Sequence, residues 1–197
     1  MKQVVVIHGG DAFASYNEYL RFLKKERVDP ARGGKKGWKS NLATTLGKGY
    51  EVLAPHMPNA QNAKYREWVI WFEKHIPFMR DGVILVGHSL GGSFLAKYLA
   101  ERHLPKKIRA TLLVAPPYDT DGSRKLVEFN SPKSLKKLEE QGGALYLYMS
   151  KDDSIVSFNE LAKYQKALPK ATARVFKKRG HFLQSSFPEL VRDIKAL

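Results

Sequence analysis

Short, nearly continuous apolar runs alternate along this 197-residue chain with segments of helical hydrophobic spacing. Apolar runs of this kind are typical of strands that helices cover on both faces, as in a parallel sheet. The alternation therefore predicts an α/β fold with a mainly parallel sheet of about six strands and helices on both faces. Strands are expected at 3–8, 50–54, 83–86, 110–114, 144–149 and 173–176, and helices at 11–23, 38–46, 60–76, 90–103, 132–141, 157–167 and 186–196.

The length and composition of the chain suit one globular domain over residues 1–197. Hydrophobic residues make up 43% and charged residues 27% of the sequence, an ordinary globular balance. The apolar runs are strand-sized and too short to span a bilayer, and residues 1–7 do not resemble a signal peptide. There is no cysteine for a disulfide, a thiolate metal site or a cysteine nucleophile. We therefore expect a cytoplasmic protein.

The formal net charge of +15 raises the question of a polyanionic partner. Lysine and arginine are spread over the whole chain, and no helix-turn-helix, zinc finger or aromatic-bearing sheet motif accompanies them. The charge is interpreted as a solvated basic surface without specific nucleic-acid recognition. A polyanion-binding role is kept as an alternative.

A glycine-flanked serine follows the third predicted strand, in V-I-L-V-G-H-S-L-G-G at residues 83–92. One interpretation of G-x-S-x-G is a strand-to-helix turn in which Ser89 caps the helix. The other is a nucleophile elbow, a strained turn that exposes the serine oxygen. A serine hydroxyl needs a base to take its proton and an acid to hold that base. The rest of the chain must therefore supply a histidine and a carboxylate.

Both groups occur directly after later strands, in the order Ser, Asp, His. The fifth predicted strand is followed by Asp152 and Asp153, and the sixth by His181 within K-K-R-G-H-F. His181 is the only histidine after position 103, so it is the expected base. Asp153 is favoured over Asp152 as the acid, because Val156 three residues later could anchor the loop while the carboxylate turns towards the imidazole.

Hydrolysis of an ester also requires N–H donors for the oxyanion of the tetrahedral intermediate. One donor is expected to be the backbone N–H of Leu90, which follows the serine and opens a helix. The second is expected from H-G-G-D after the first strand, with Gly10 favoured and Asp11 as the alternative. With strand order 2-1-3-4-5-6, these two loops flank the point where an open α/β sheet forms its ligand crevice.

With these residues in place, the chain resembles the α/β-hydrolases, and more narrowly the small serine hydrolases that include the retinoblastoma-binding serine hydrolase family and its bacterial relatives. The resemblance extends over nearly the whole chain. It rests on V-V-V-I-H-G-G, G-W-K, V-L-A-P-H-M-P-N, W-x-x-W-F, the serine turn, S-K-D-D-S-I-V and G-H-F-L-Q-S-S-F-P-E-L. It implies a minimal α/β-hydrolase fold without a large cap domain. Residues 18–37 depart from the family pattern as a basic insertion.

The expected activity is hydrolysis of small or short-chain esters through an acyl-enzyme, without metal or cofactor. Lactones and small amides remain alternatives, as does a non-catalytic protein- or polyanion-binding module. The expected partner is a small-molecule ester or lactone, and the sequence does not fix the oligomeric state. The segment after the fourth strand is too short for a large cap, so we expect a shallow, open pocket. Candidate substrate-binding residues are Asp11, Phe13, Tyr16, Trp38, Tyr118 and Phe182.

Overall fold

A computed structural model of the protein describes residues 1–27, 37–119 and 126–197. In these ranges six strands form one parallel sheet with the order β2-β1-β3-β4-β5-β6, as the sequence argument requires. The strands are β1 (Lys2–Ile7), β2 (Tyr50–Leu53), β3 (Val83–His88), β4 (Ile108–Val114), β5 (Ala144–Ser150) and β6 (Thr172–Phe176).

Helices pack on both faces of the sheet and form two hydrophobic layers. Those in the described residues are α1 (Tyr16–Lys25), α2 (Trp38–Leu46), α3 (Tyr65–His75), α4 (Leu90–Glu101), α5 (Lys136–Gln141), α6 (Glu160–Ala167) and α7 (Pro188–Ala196). Buried residues of α3, α4, α5 and α6 form one layer with the sheet, and those of α2 and α7 form the other. Apolar side chains therefore cover both faces of the central strands, as the unbroken apolar runs predict.

The strand order reverses between the neighbouring strands β1 and β3. From β1 the chain crosses to β2 at one edge, and β3 then lies on the other side of β1. Parallel strands end at the same edge of the sheet, so the loops after β1 and β3 leave side by side. Such a reversal opens a crevice at the carboxyl ends of the strands.

Several helix boundaries differ from the predicted ones. The helix expected at 60–76 is divided into a short 3-10 turn at Ala60–Asn62 and helix α3, because Ala63 and Lys64 between them have extended backbone, with ψ of 141° and 127°. The helix expected at 132–141 begins only at Lys136, and that expected at 157–167 begins at Glu160. Within the predicted insertion, residues 18–25 belong to α1, which Ser15 caps, and residues 28–36 lie outside the described residues.

No helix within the described ranges is long and apolar enough to cross a membrane. All six strands belong to a single sheet. That the whole chain is one domain stays a prediction.

Candidate active site

Ser89 connects the end of β3 to the start of α4 in a strained backbone conformation. Its φ and ψ are 55° and −126°, a region that serine rarely adopts because its Cβ is crowded there. The Ser89 N–H donates to the carbonyl of Val114 at 2.8 Å, and its own carbonyl accepts from Gly92 N–H at 2.8 Å. Main-chain bonds on both sides thus hold the strain, which is a feature of a serine elbow and not of a relaxed helix cap.

Gly91 allows this turn to lie against the end of β1. A Cβ at Gly91 would be only 2.4 Å from the carbonyl oxygens of both Ile7 and His8, so no larger residue fits without moving backbone. The same close approach brings the loop after β1 to the serine, and a Cβ at Gly9 would lie 3.0 Å from Ser89 Cβ. The two glycine-containing loops that the sequence places at the crevice are therefore in contact.

His181 is bonded through one ring nitrogen to the carboxylate of Asp153. The distance from His181 Nδ1 to Asp153 Oδ2 is 2.8 Å, and the carboxylate side chain is fully buried. Asp153 Oδ1 accepts from the N–H groups of Ile155 and Val156. Burial by itself would raise the pKa of Asp153, but the bonds from His181 and these N–H groups outweigh it and hold the pKa below its ordinary value.

This pair fixes the proton on the imidazole. Because the ionised carboxylate can only accept, Nδ1 of His181 carries the hydrogen, and Nε2 of the neutral ring is left as a proton acceptor. Ser89 and His181 line the same cleft. Among the described residues the serine Oγ and the histidine ring do not yet share a hydrogen bond, and such bonds often tighten only when substrate binds.

Asp152 has a different set of partners. Its Oδ1 accepts from Ser150 Oγ and from the N–H groups of Arg179 and Gly180, at 2.5, 3.1 and 2.9 Å. The bond from the Ser150 hydroxyl, followed by that from Gly180, lowers the pKa of this exposed carboxyl. Asp152 thus connects the end of β5 to the turn before His181, and only Asp153 reaches the imidazole.

Two backbone N–H groups at the crevice are suited to an oxyanion. Leu90 is the first residue of α4, so its N–H has no acceptor within the helix. His8 orients the second, since its Nδ1 lies 2.7 Å from the carbonyl oxygen of Gly9 and its Nε2 accepts from Met57 N–H at 2.8 Å. In a trans peptide the C=O and N–H point in opposite directions, so holding the Gly9 carbonyl also fixes the N–H of Gly10.

The alternative donor, Asp11, is already engaged. Its N–H donates to the carbonyl of Ala60 at 2.8 Å.

Burial lowers the pKa of His8, although the bond to the Gly9 carbonyl opposes that effect. The ring therefore stays neutral at neutral pH, with Nδ1 as the donor to Gly9 and Nε2 as the acceptor.

A pocket of about 350 Å³ opens beside Ser89. Its wall contains Asp11 and Phe13 from the predicted substrate-binding set, together with the proposed oxyanion residues Gly10 and Leu90. It also contains residues that the sequence argument did not assign to it, notably Glu18, Phe22, Pro117, Leu126, Ile155 and Val156. Phe22 comes from α1, and its ring packs on Phe13 with centroids 5.1 Å apart. The spacing S-x-x-E at Ser15, typical of a helix start, was the available signal for this wall.

The other four predicted pocket residues are not in this wall. Trp38 and Phe182 are buried, 2% and 1% exposed, in the layer that α2 and α7 form with the sheet, because large aromatic side chains fill that space. Tyr16 is 66% exposed on α1. The Tyr118 ring packs edge-on against Tyr164, with centroids 4.8 Å apart.

Comparisons with known proteins show the family to which the chain belongs. The family described as serine hydrolase matches residues 31–190. The chain is 27% identical over 175 residues to serine hydrolase RBBP9 of Rattus norvegicus, covering 86% of this chain and 89% of that protein.

Two solved structures share the fold. The ydeN gene product of Bacillus subtilis has a TM-score of 0.75 at 22% identity, covering 100% of this chain and 98% of that one. Naproxen esterase of the same organism has a TM-score of 0.58 at 14% identity, covering 99% and 82%. The family match spans most of the chain, including Ser89, Asp153 and His181. The protein therefore belongs to the serine hydrolase family.

Proposed function

We propose that this protein hydrolyses small carboxylic esters through a catalytic triad of Ser89, His181 and Asp153. The observation that carries the proposal is the buried Asp153–His181 hydrogen bond in a loop that shares a cleft with the strained Ser89 turn. Membership of the serine hydrolase family supports hydrolysis as the reaction class. Neither a helix-capping serine nor a packed histidine would need this combination.

In the proposed reaction, Ser89 Oγ attacks the ester carbonyl while His181 Nε2 takes the serine proton. Asp153 holds the ring and stabilises the imidazolium that forms. The N–H groups of Leu90 and Gly10 bind the oxyanion. Collapse of the intermediate breaks the bond to the alcohol, which leaves with the proton from His181. Water then attacks the acyl carbonyl while His181 takes a proton from it. The bond to Ser89 Oγ breaks, Ser89 recovers the proton from His181, and the free acid is released.

The pocket beside Ser89 supports a small substrate. At about 350 Å³ it lies near the lower end of the range for small-molecule sites. Its apolar wall, with Phe13, Phe22, Leu126 and Ile155, suits a short alkyl or an aryl group. Long-chain lipids would leave much of their chain outside. Helix α1 contributes Glu18 and Phe22 to the wall, and the expectation of a shallow, open pocket stays a prediction. The cytoplasmic location expected from the sequence stays a prediction.

The test is a series of p-nitrophenyl esters with acyl chains of about two to twelve carbons. Purified wild type and Ser89→Ala are assayed in parallel, and circular dichroism establishes that both are folded. We expect kcat/KM to be highest for the short and middle members and about tenfold or more lower for the longest. Turnover should disappear in Ser89→Ala.

Each alternative has a separate outcome in the same assay. Matched lactones or small amides turned over faster than every ester would change the substrate class while leaving the triad in place. Folded wild type that turns over none of these substrates would contradict the proposed reaction, and the binding-module interpretation would then be preferred.

A further inference from the structure

A line of polar groups beneath His181, formed by the partly buried Lys39 and the buried His88, has no part in the proposed reaction. Lys39, in the first turn of α2, lies with its Nζ 3.1 Å from Nδ1 of His88. Nε2 of the same ring lies 2.9 Å from the backbone carbonyl oxygen of His181. His88 is 3% exposed. The line therefore connects α2 to the main chain of the proposed catalytic base.

The direction of these hydrogen bonds follows from the charges. Burial, with a smaller contribution from the nearby Lys39 charge, lowers the pKa of His88 well below its ordinary value, so the ring is neutral. An ammonium group can only donate, so His88 Nδ1 is the acceptor. The ring hydrogen must then be on Nε2, from which it donates to the His181 carbonyl. The Lys39 charge thus selects the one tautomer of His88 that can hold this loop.

The histidine loop needs such support because its backbone is unusual on both sides of His181. Gly180 has φ 50° and Phe182 has φ 54°, and Phe182 has a bulky side chain for which this region is strained. Trp38 holds the next carbonyl, since its Nε1–H donates to the oxygen of Phe182 at 2.9 Å. The Trp38 backbone N–H donates to the carbonyl of Gln184 at 2.9 Å.

We propose that the first turn of α2 positions His181 for catalysis, with Trp38 bonding the loop directly and Lys39 acting through the tautomer of His88. This inference rests on the proposed ester hydrolysis. Neither Trp38 nor Lys39 lines the pocket proposed for the substrate, and both act as positioning residues. Their contribution is to keep the imidazole in line with Ser89 while the loop backbone stays strained.

The charge on Lys39 makes this support depend on pH. Burial lowers the pKa of Lys39 to about 8. The titratable groups around the pair are His8 and His181, with Asp11 and Glu26 lining the same cleft and His56 beside His8. Above about pH 8 the neutral amine can accept as well as donate. The other tautomer of His88 then becomes accessible, and its Nε2 lone pair would face the His181 carbonyl.

The test compares Lys39→Met and Lys39→Arg, with Lys195→Met as the matched control. Lys195 also bonds α2, through Thr45 O, but at the far end of the helix from His181. For Lys39→Met we expect kcat to fall about tenfold while KM changes less than about twofold, because a small displacement of a catalytic group affects the chemical step. Lys39→Arg should keep most of the activity. We also expect kcat of wild type to fall above about pH 8. This fall should be absent from Lys39→Met and should move to higher pH in Lys39→Arg.

A second readout does not depend on turnover. The ¹⁵N chemical shifts of the His88 ring should show hydrogen on Nε2 in wild type at pH 7 and a mixture of both tautomers in Lys39→Met. Trp38→Phe, which keeps a smaller aromatic ring and removes the N–H, should also lower kcat without changing the His88 tautomer. An unchanged tautomer in Lys39→Met, or kinetics equal to those of Lys195→Met, would overturn the inference. Wild type without turnover would instead contradict the proposed function.

Discussion

The serine turn and the histidine loop face the same cleft, and both contain backbone with positive φ, but they are held by different means. The turn at Ser89 is fixed by main-chain hydrogen bonds and by a glycine that lets α4 lie against β1. The loop at His181 is fixed by side chains from distant parts of the sequence, namely Trp38, His88 and Asp152. The first arrangement depends mainly on steric fit, and the second on hydrogen bonds and charge.

This difference separates the two kinds of damage that a substitution can do. Enlarging a glycine of the serine turn should act on folding, because backbone must move to accept the added group. Changes around the histidine loop should act mainly on rate, and some should even stabilise the protein. The following predictions test that division.

The largest effect is expected for Asp153→Asn, measured as kcat for an active ester. An amide in place of the carboxylate no longer holds the imidazole tautomer or stabilises the imidazolium, and we expect a loss of about 10³- to 10⁴-fold. Asp152→Asn is the matched control, since Asp152 bonds the same loop without touching the ring. It should lose about tenfold or less. If Asp152→Asn is the more damaged variant, the assignment of the acid is wrong.

Gly91→Ala should lower the free energy of unfolding by about 3 kcal/mol, through the clash of its methyl group with two carbonyl oxygens. Chemical denaturation followed by circular dichroism measures this directly. Gly49→Ala is the control, because a Cβ there would meet nothing within 4 Å. Equal stability of the two variants would show that the turn is not sterically tight.

The smallest of the three effects is a gain in stability for Lys39→Met, together with the loss of rate proposed above. Desolvation lowers the pKa of Lys39 from 10.5 to about 8 on folding, so at pH 7 the partly buried charge opposes folding by about 3 kcal/mol. Loss of the hydrogen bond to His88 destabilises the variant by about 1 kcal/mol. We therefore expect a net gain of about 2 kcal/mol.

This gain has a defined pH range. Between pH 8 and 10.5 the unfolded chain binds the lysine proton more tightly than the folded protein does, so the stability of wild type rises with pH. The advantage of Lys39→Met should be constant below about pH 8 and should shrink through this range. Urea titrations of wild type, Lys39→Met and Lys195→Met at several pH values measure the difference. A destabilised Lys39→Met at pH 7 would mean that the charge is well solvated.

The same contrast explains what the sequence could predict. The positions of the strands and the serine turn follow from local patterns, since an apolar run or a glycine-flanked serine is recognised within a few residues. The pairing of Asp153 with His181 could be anticipated because each follows a strand that ends at the same edge. The role of Trp38 could not, because its bond to Phe182 joins residues 144 positions apart. Aromatic residues near a site in sequence suggest a pocket wall, and only packing shows that these two form core.

Ser89 is proposed to be an activated nucleophile, and the most direct measurement of this is intact mass after treatment with a fluorophosphonate. Wild type, Ser89→Ala and Ser93→Ala are treated in parallel. Ser93 is a buried serine in α4, the helix that follows Ser89, and its hydroxyl donates to the carbonyl of Pro117. We expect one adduct on wild type and on Ser93→Ala, and none on Ser89→Ala. An unmodified, folded wild type, or an adduct that persists in Ser89→Ala, would contradict the account.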